Sequence, residues 1–187
     1  MITVWIDELT PCLKNLSTGE DVPTKVVRIK SIKQLAGYNK HSGWFVNWQK
    51  LYRENDIYAL LVCGEPEYQG LIAIRDDPDP SINAAFIVWM VASPQCRRIA
   101  AKEHEAQKYA GVGGHLFAFA GKYSQSHGHD DGAVYGVAAN KALLEHYVNH
   151  IGARSIGRLG TEAYRFLIYG KAMSKLEEVY TYDYSEV

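Results

Sequence analysis

The sequence is poor in cysteine: Cys12, Cys63 and Cys96 are far apart and odd in number among 187 residues. That argues against a disulfide framework and suits free thiols in a reducing compartment. No apolar run approaches the roughly 18–20 residues that a spanning helix needs. Met1 to Glu8 lacks the basic and apolar regions of a signal peptide, so the cytoplasm is the expected location and no membrane partner is expected. Neither sign of charge prevails, since 20 Lys+Arg against 21 Asp+Glu leave a formal charge of −1. A chain this neutral has no global footprint for nucleic acid, although a local basic patch could hide inside the total. No repeat or low-complexity tract is visible. A hydrophobic fraction of 47% is that of an ordinary globular chain, and the length is that of one domain, residues 1–187.

What is present has a clear order. Ile2 to Leu9 alternates weakly and could be a strand, and Thr10 to Thr24 reads as a loop. Val26 to Ile29 is a short strand candidate. Ser31 to Tyr52 has a helical pattern broken at Gly37 and Gly43. Ile57–Cys63, Tyr68–Arg75 and Ala84–Ala92 read as three strands joined by short polar turns, an antiparallel meander. After Ser93-Pro94 comes a charged stretch, then Tyr109-Ala110-Gly111-Val112-Gly113-Gly114 entering an apolar helix that runs to Ser126. Ala133–Ala138 reads as a buried strand. Asn140–Ile151 reads as a helix closed by Gly152. A hairpin over Ser155–Leu159 and Tyr164–Ile168 and a short helix near Lys171–Tyr180 complete the pattern. The expected class is α/β (α+β), a mixed, mostly antiparallel sheet flanked by helices. At its centre stands a strand–Gly loop–helix–strand unit.

The glycine loop carries the strongest local chemistry. Its glycines let backbone approach a ligand closely, and the first amides of the helix have no intrahelical partners. A phosphate suits that position, and a turn packed tightly on a sheet is the plainer reading. GxGxxG fails because position 116 is Leu, and neither Gly121-Lys122 nor Gly170-Lys171 continues as a P-loop. No G-x-S-x-G elbow exists. His146 and His150 have zinc-ligand spacing, but Tyr147 stands where a metalloprotease needs Glu. These two, and His127 and His129, read as solvated or capping histidines, with no metal expected. Glu103-His104-Glu105 reads as a solvated charge run. Trp44, Phe45, Trp48 and Tyr52 read as core, or else as the lining of a substrate groove.

Taken together, the segments resemble the GCN5-related N-acetyltransferase (GNAT) superfamily. Lys108-Tyr109-Ala110-Gly111-Val112-Gly113 after a long strand is similar to the family's Gln/Arg-x-x-Gly-x-Gly/Ala, with Lys in the first place. Asn140 follows the next strand, and Tyr147 stands seven residues on. Tyr147 to Ala153 is similar to Tyr-x-x-x-Leu-Gly-Phe. The resemblance covers roughly residues 57–169. The wording from Tyr109 to Ala120 also resembles a bacterial group within the superfamily that suggests no substrate. Two departures stand out: the stretch from Pro94 to Gly111 is long, and the strand Ala84–Ala92 carries no acidic residue to serve as base.

The resemblance implies acetyl-CoA as co-substrate and acyl transfer to the amine of a small molecule or protein. It implies pyrophosphate binding by Gly111, Val112, Gly113, Gly114 and His115 beside Lys108, and oxyanion donors near Val91 and Ala92. Asn140 would hold the amide-rich arm of the cofactor or orient the helix start. Tyr147 would be the general acid, and Glu103 or Glu105 the base unless water relays the proton. Trp44, Phe45 and Trp48 would line the acceptor groove. A cofactor-binding or interaction protein without turnover is the first rival. A toxin-like acyltransferase acting on aminoacyl-tRNA is the second, disfavoured by the balanced charge. A homodimer is compatible with all three.

Overall fold

A computed structural model describes residues 1–77, 79, 81–97, 107–157 and 164–184. Its strands are β1 (Leu13–Asn15), β2 (Asp21–Val22), β3 (Thr24–Arg28), β4 (Asp56–Val62), β5 (Tyr68–Asp76), β6 (Ala85–Ala92), β7 (Tyr109–Ala110), β8 (Val134–Val137), β9 (Arg154–Ser155), β10 (Arg165–Ile168) and β11 (Asp183–Tyr184). The α-helices are α1 (Trp48–Leu51), α2 (Val112–Ser126), α3 (Lys141–Ile151) and α4 (Lys171–Val179), with 3-10 turns at Ile32–Leu35 and Pro94–Cys96. The main sheet has the order β11-β3-β4-β5-β6-β8-β10-β9, and β2-β1-β7 form a small second sheet.

The meander read from the sequence is β4-β5-β6, and its apolar runs are explained by burial on both faces. Along β4, Tyr58, Leu60 and Val62 enter one core, while Ile57, Ala59 and Leu61 enter the other. Successive strand residues point to opposite faces, so a strand covered on both sides needs apolar side chains throughout. The larger core lies under α2, α3 and α4. The smaller one lies under residues 29–52, where Trp44 and Trp48 are buried. The expected helical stretch from Ser31 to Tyr52 is only two short turns joined by loop, because Gly37 and Gly43 adopt φ of +89° and +82°. The expected loop from Thr10 to Thr24 contains the β1–β2 hairpin.

The β6–α2–β8 crossover gives one parallel pair of the main sheet, and β11 with β3 gives another. The two strands of the crossover stay together only briefly, pairing Ala85 with Val134, Phe86 with Tyr135 and Ile87 with Gly136. Opposite, the β5–β6 register slips between Ala73 and Ile74, so that Trp89 faces Ala73, Ile87 faces Ile74 and Val88 is left as a bulge. A bulge bends its strand and strengthens the local twist. Beyond it β6 continues along β5 to Ala92, while β8 gives way to Asn140 and α3.

Candidate active site between β6 and β8

The gap that opens past Ile87 and Gly136 is filled by the chain's own first residues. Ile2 bridges Met90 on one side and Ala138 on the other, parallel to both. Its N–H donates to Val137 O at 2.8 Å, and its carbonyl accepts the Ala139 N–H at 2.9 Å. Thr3 N–H donates to Met90 O at 3.1 Å. The Ile2 side chain lies over Gly136, where a Cβ would stand 2.5 Å from Ile2 Cδ1. The alternation in the sequence is therefore meaningful: Ile2, Val4 and Ile6 are buried, while Trp5 between them is 41% exposed. Burying a side chain of this size contributes about 1.5–3 kcal/mol. Before the cost of ordering the chain, three of them approach the roughly 8 kcal/mol of a micromolar ligand.

The far end of this segment meets the start of α2. Gly111, with φ of +93°, turns the chain into the helix. Its N–H donates to Asp7 Oδ1 at 2.9 Å, and the Gln107 amide donates to Asp7 Oδ2 at 2.6 Å. An anion does sit at this helix N-terminus, and it is the chain's own carboxylate. The next glycines are spaces for contact. A Cβ at Gly113 would run into the Trp5 carbonyl, and one at Gly114 into the Tyr180 ring. Val112 and His115 are buried behind them. Among the described residues His115 has no hydrogen-bond partner on either ring nitrogen, and it packs edge-on to Tyr180. Burial pushes its pKa down to about 3.

Tyr147 projects from α3 into the same gap. It is fully buried and donates its hydroxyl to Val4 O at 2.5 Å. Burial drives its pKa well above the usual tyrosine value, so the hydroxyl stays protonated. One residue earlier, His146 accepts the Ile6 N–H at 3.0 Å and packs on Trp5. His150 Nδ1 lies 3.0 Å from the His146 carbonyl. Among the described residues no group of three or more His, Cys, Asp or Glu side chains could hold a metal.

The remaining candidate residues divide. Val91 and Ala92 lie at the end of β6 beside the gap and pair with Leu71 and Gly70 of β5. Asn140 caps α3, its side chain accepting the Leu143 N–H at 2.9 Å, so it serves the helix start. Lys108 reaches away to Glu65 at 3.2 Å. Glu65 also accepts the Tyr109 hydroxyl, and these partners hold its carboxyl below the usual range. Of the aromatic trio, Phe45 is 43% exposed and borders the gap, whereas Trp44 and Trp48 pack in the smaller core. Glu103 and Glu105, with His104, lie outside the described residues.

Two contributors escaped the sequence reading. Asp7 belongs to a segment with no recognisable motif. Arg97 was visible only as one charge in the stretch after Pro94. Its guanidinium stacks on Phe45 at 4.1 Å and donates to the Ala92 carbonyl at 3.1 Å and to the Gly43 carbonyl. Desolvation lowers its pKa to about 10. Phe45 itself sits at φ of +62°, a conformation that costs a non-glycine residue energy. Beside the segment a cavity of about 180 Å³ remains, lined by Val4, Trp5, Phe45, Ala92, Arg97 and Gly113 among others. That is smaller than the roughly 300–1,000 Å³ of an ordinary ligand pocket.

No family model matches the sequence, and no curated protein matches it either. Solved structures do match in shape. A Tyr-to-Phe variant of the AtaT toxin, bound to the C-terminus of the antitoxin AtaR and acetyl-CoA, has a TM-score of 0.51 at 12% identity, covering 82% of this chain and 97% of its own. The AtaT–AtaR complex bound to DNA has a TM-score of 0.51 at 15% identity, covering 81% and 98%. A GNAT-family acetyltransferase from Listeria monocytogenes has a TM-score of 0.44 at 14% identity, covering 74% and 84%. At these identities the likeness is one of fold, and the fold is that of the GNAT acetyltransferases.

Proposed function

We propose that this protein is an acyl-CoA-dependent N-acyltransferase that moves an acetyl group from acetyl-CoA to an amine by direct attack. The observation that carries this reading is the parting of β6 from β8 beside a glycine-rich helix start, with the Tyr147 hydroxyl inside the gap. The donor set suits the cofactor: the amides of the first helical turn and a helix dipole for its phosphates, strand edges for its amide arm, a protonated hydroxyl for its sulfur. The space is taken by residues 2–7, so the fit requires that they leave.

Acetyl-CoA supplies an acyl group activated as a thioester. Around it, the amides from Gly111 to Gly114 bind the pyrophosphate once Asp7 has left; the His115 amide is already bonded to the Gly111 carbonyl within α2. Amides near Val91 and Ala92 meet the developing oxyanion. Tyr147 gives its proton to the departing sulfur as the amine nitrogen takes the acyl carbon. Glu103, Glu105 or water removes the proton from the amine. Phe45 and Arg97 border the acceptor side.

A second reading, a protein that keeps the fold and has lost turnover, is favoured by the occupied gap and by the absence of any carboxylate on β6. Incubation with acetyl-CoA and a panel of amines, small molecules and peptides, separates the two. Acetylated product with release of free thiol is expected. Binding of CoA without product would select the second reading, and no binding at all would overturn the first. Charged aminoacyl-tRNA in the same panel tests the toxin-like alternative.

A further inference from the structure

The acyl-CoA reading leaves the segment Ile2–Asp7 to be explained. Its contacts take up groups assigned to the cofactor. Asp7 takes the Gly111 amide, where the pyrophosphate would be held. The Trp5 carbonyl faces Gly113. The Val4 carbonyl takes the Tyr147 hydroxyl, where the sulfur would be. Ile2 pairs with both open strand edges, at Met90 and Ala138. The segment thus matches a carboxylate to the phosphate end and backbone amides to the strand edges. Backbone hydrogen bonds tie it to Met90 and to residues 137–139 around Ile2, and a cavity of about 180 Å³ flanks Val4 and Trp5.

We propose that residues 2–7 are an intrasteric inhibitor, a segment that occupies the place of the cofactor and closes the β6–β8 gap until acyl-CoA displaces it. The inference rests on the acyl-CoA reading above. In the closed state the Tyr147 hydroxyl and the Gly111 amide are both engaged, so neither can serve a substrate. Withdrawal frees them together, which couples cofactor binding to assembly of the site. The hinge is the stretch after Asp7. There Glu8 is held through its carbonyl by the Tyr180 hydroxyl at 3.2 Å and stays with the body of the protein.

The test compares the full chain with one lacking residues 1–7, using CoA as the probe in calorimetry. The trimmed chain should bind CoA at least about tenfold more tightly. A peptide of residues 1–7 added to it should compete with CoA. Equal affinities in the two chains would overturn the inhibitor and leave the acyl-CoA reading standing. A trimmed chain that is folded by circular dichroism and binds no CoA would overturn both. Should trimming prevent folding, Ile2→Ala in the full chain decides: CoA affinity should rise while the melting temperature falls. An affinity that stays level or drops along with stability would refute the proposal. In the wild-type chain, saturating CoA should speed hydrogen exchange at the amides of Ile2, Thr3 and Ala139. Continued protection of those amides with CoA bound would be equally decisive against it.

Discussion

The two edges of β6 behave differently. On the β5 side the pairing runs from Ala85 to Ala92 and survives a bulge at Val88. On the β8 side it stops at Ile87, and a separate segment takes over the exposed edge. The antiparallel neighbour is joined by a short turn and shares both cores, so the register is pinned from two sides. The parallel neighbour arrives only after α2 and leaves at once into α3, so it has few residues with which to follow a bent strand. A strand edge left open inside a protein must find partners for its amides and carbonyls. Here residues 2–7 supply them, and that is the place where a ligand with amide groups could do so instead.

The sharpest way to break this comparison is at Tyr147. Tyr147→Phe removes the hydroxyl that serves the segment in one state and the sulfur in the other. Turnover should fall by about 10²–10⁴-fold if the hydroxyl is the general acid. The closed state should also lose about 1–3 kcal/mol, because the Val4 carbonyl is left without its donor. CoA should consequently bind no more weakly than to wild type. Steady-state kinetics, calorimetry and a thermal melt read these separately. Wild-type turnover in the variant would show that the proton comes from elsewhere.

Gly113→Glu acts at the other end of the gap. Its side chain would meet the Trp5 carbonyl and carry an anion to the helix start. In the chain lacking residues 1–7, where no segment is left to be expelled, CoA affinity should fall by at least about tenfold, or roughly 1.4 kcal/mol. Unchanged affinity with the fold intact would sink the phosphate assignment of the glycine loop.

Asn140→Ala should cost about 1 kcal/mol of stability through the lost cap on α3. If the cap is its whole role, Asn140→Ser should restore both stability and CoA affinity. Restored stability with a persistent affinity defect would return Asn140 to the cofactor's arm.

The smallest effect at neutral pH concerns His115, held neutral by burial in the first turn of α2. Its folded pKa of about 3 lies below the ordinary value of 6.5, so the unfolded chain binds the proton first. Stability from this residue is therefore intact above about pH 6.5. It is lost as pH falls toward 3, with a slope of up to about 1.4 kcal/mol per pH unit. His115→Leu should change stability little at pH 7.5 and flatten that decline. Parallel acid-unfolding curves for the two proteins would refute the buried, neutral placement.

Much of this fold is legible from residue order. The meander shows as apolar runs separated by Gly-Glu-Pro-Glu and an Asp-Pro-rich turn, and the strands β4, β5 and β6 fall within a residue or two of those runs. The helix α3 shows both its ends, an Asn cap and Gly152 at φ of +69°. Of the site, the glycine loop and Tyr147 were legible because each sits in a local pattern of fixed spacing. Trp44 and Trp48 could not be told from Phe45, since adjacent aromatics look alike until the loop's backbone sends one outward and two inward. Asp7 could not be found at all, because its partner Gly111 is distant in the chain and no short motif joins them.

The sequence by itself determined the meander β4-β5-β6, the helices α2 and α3, and the crossover unit they belong to. Those depend on interactions between near neighbours: side-chain period, caps, turns and glycine conformations. Tertiary structure alone decided that the weakly alternating first segment, expected as a strand over Ile2–Leu9, would form only a bridge at Ile2 and run between β6 and β8. Such a choice depends on which open edge offers unmet hydrogen bonds, and that edge exists only once the Val88 bulge and the departure of β8 have opened it. The same alternating pattern, Ile2-Val4-Ile6, would suit any half-buried edge. Only the packed fold converts it into an occupant of the gap that the Tyr147 hydroxyl and the Gly111 amide line.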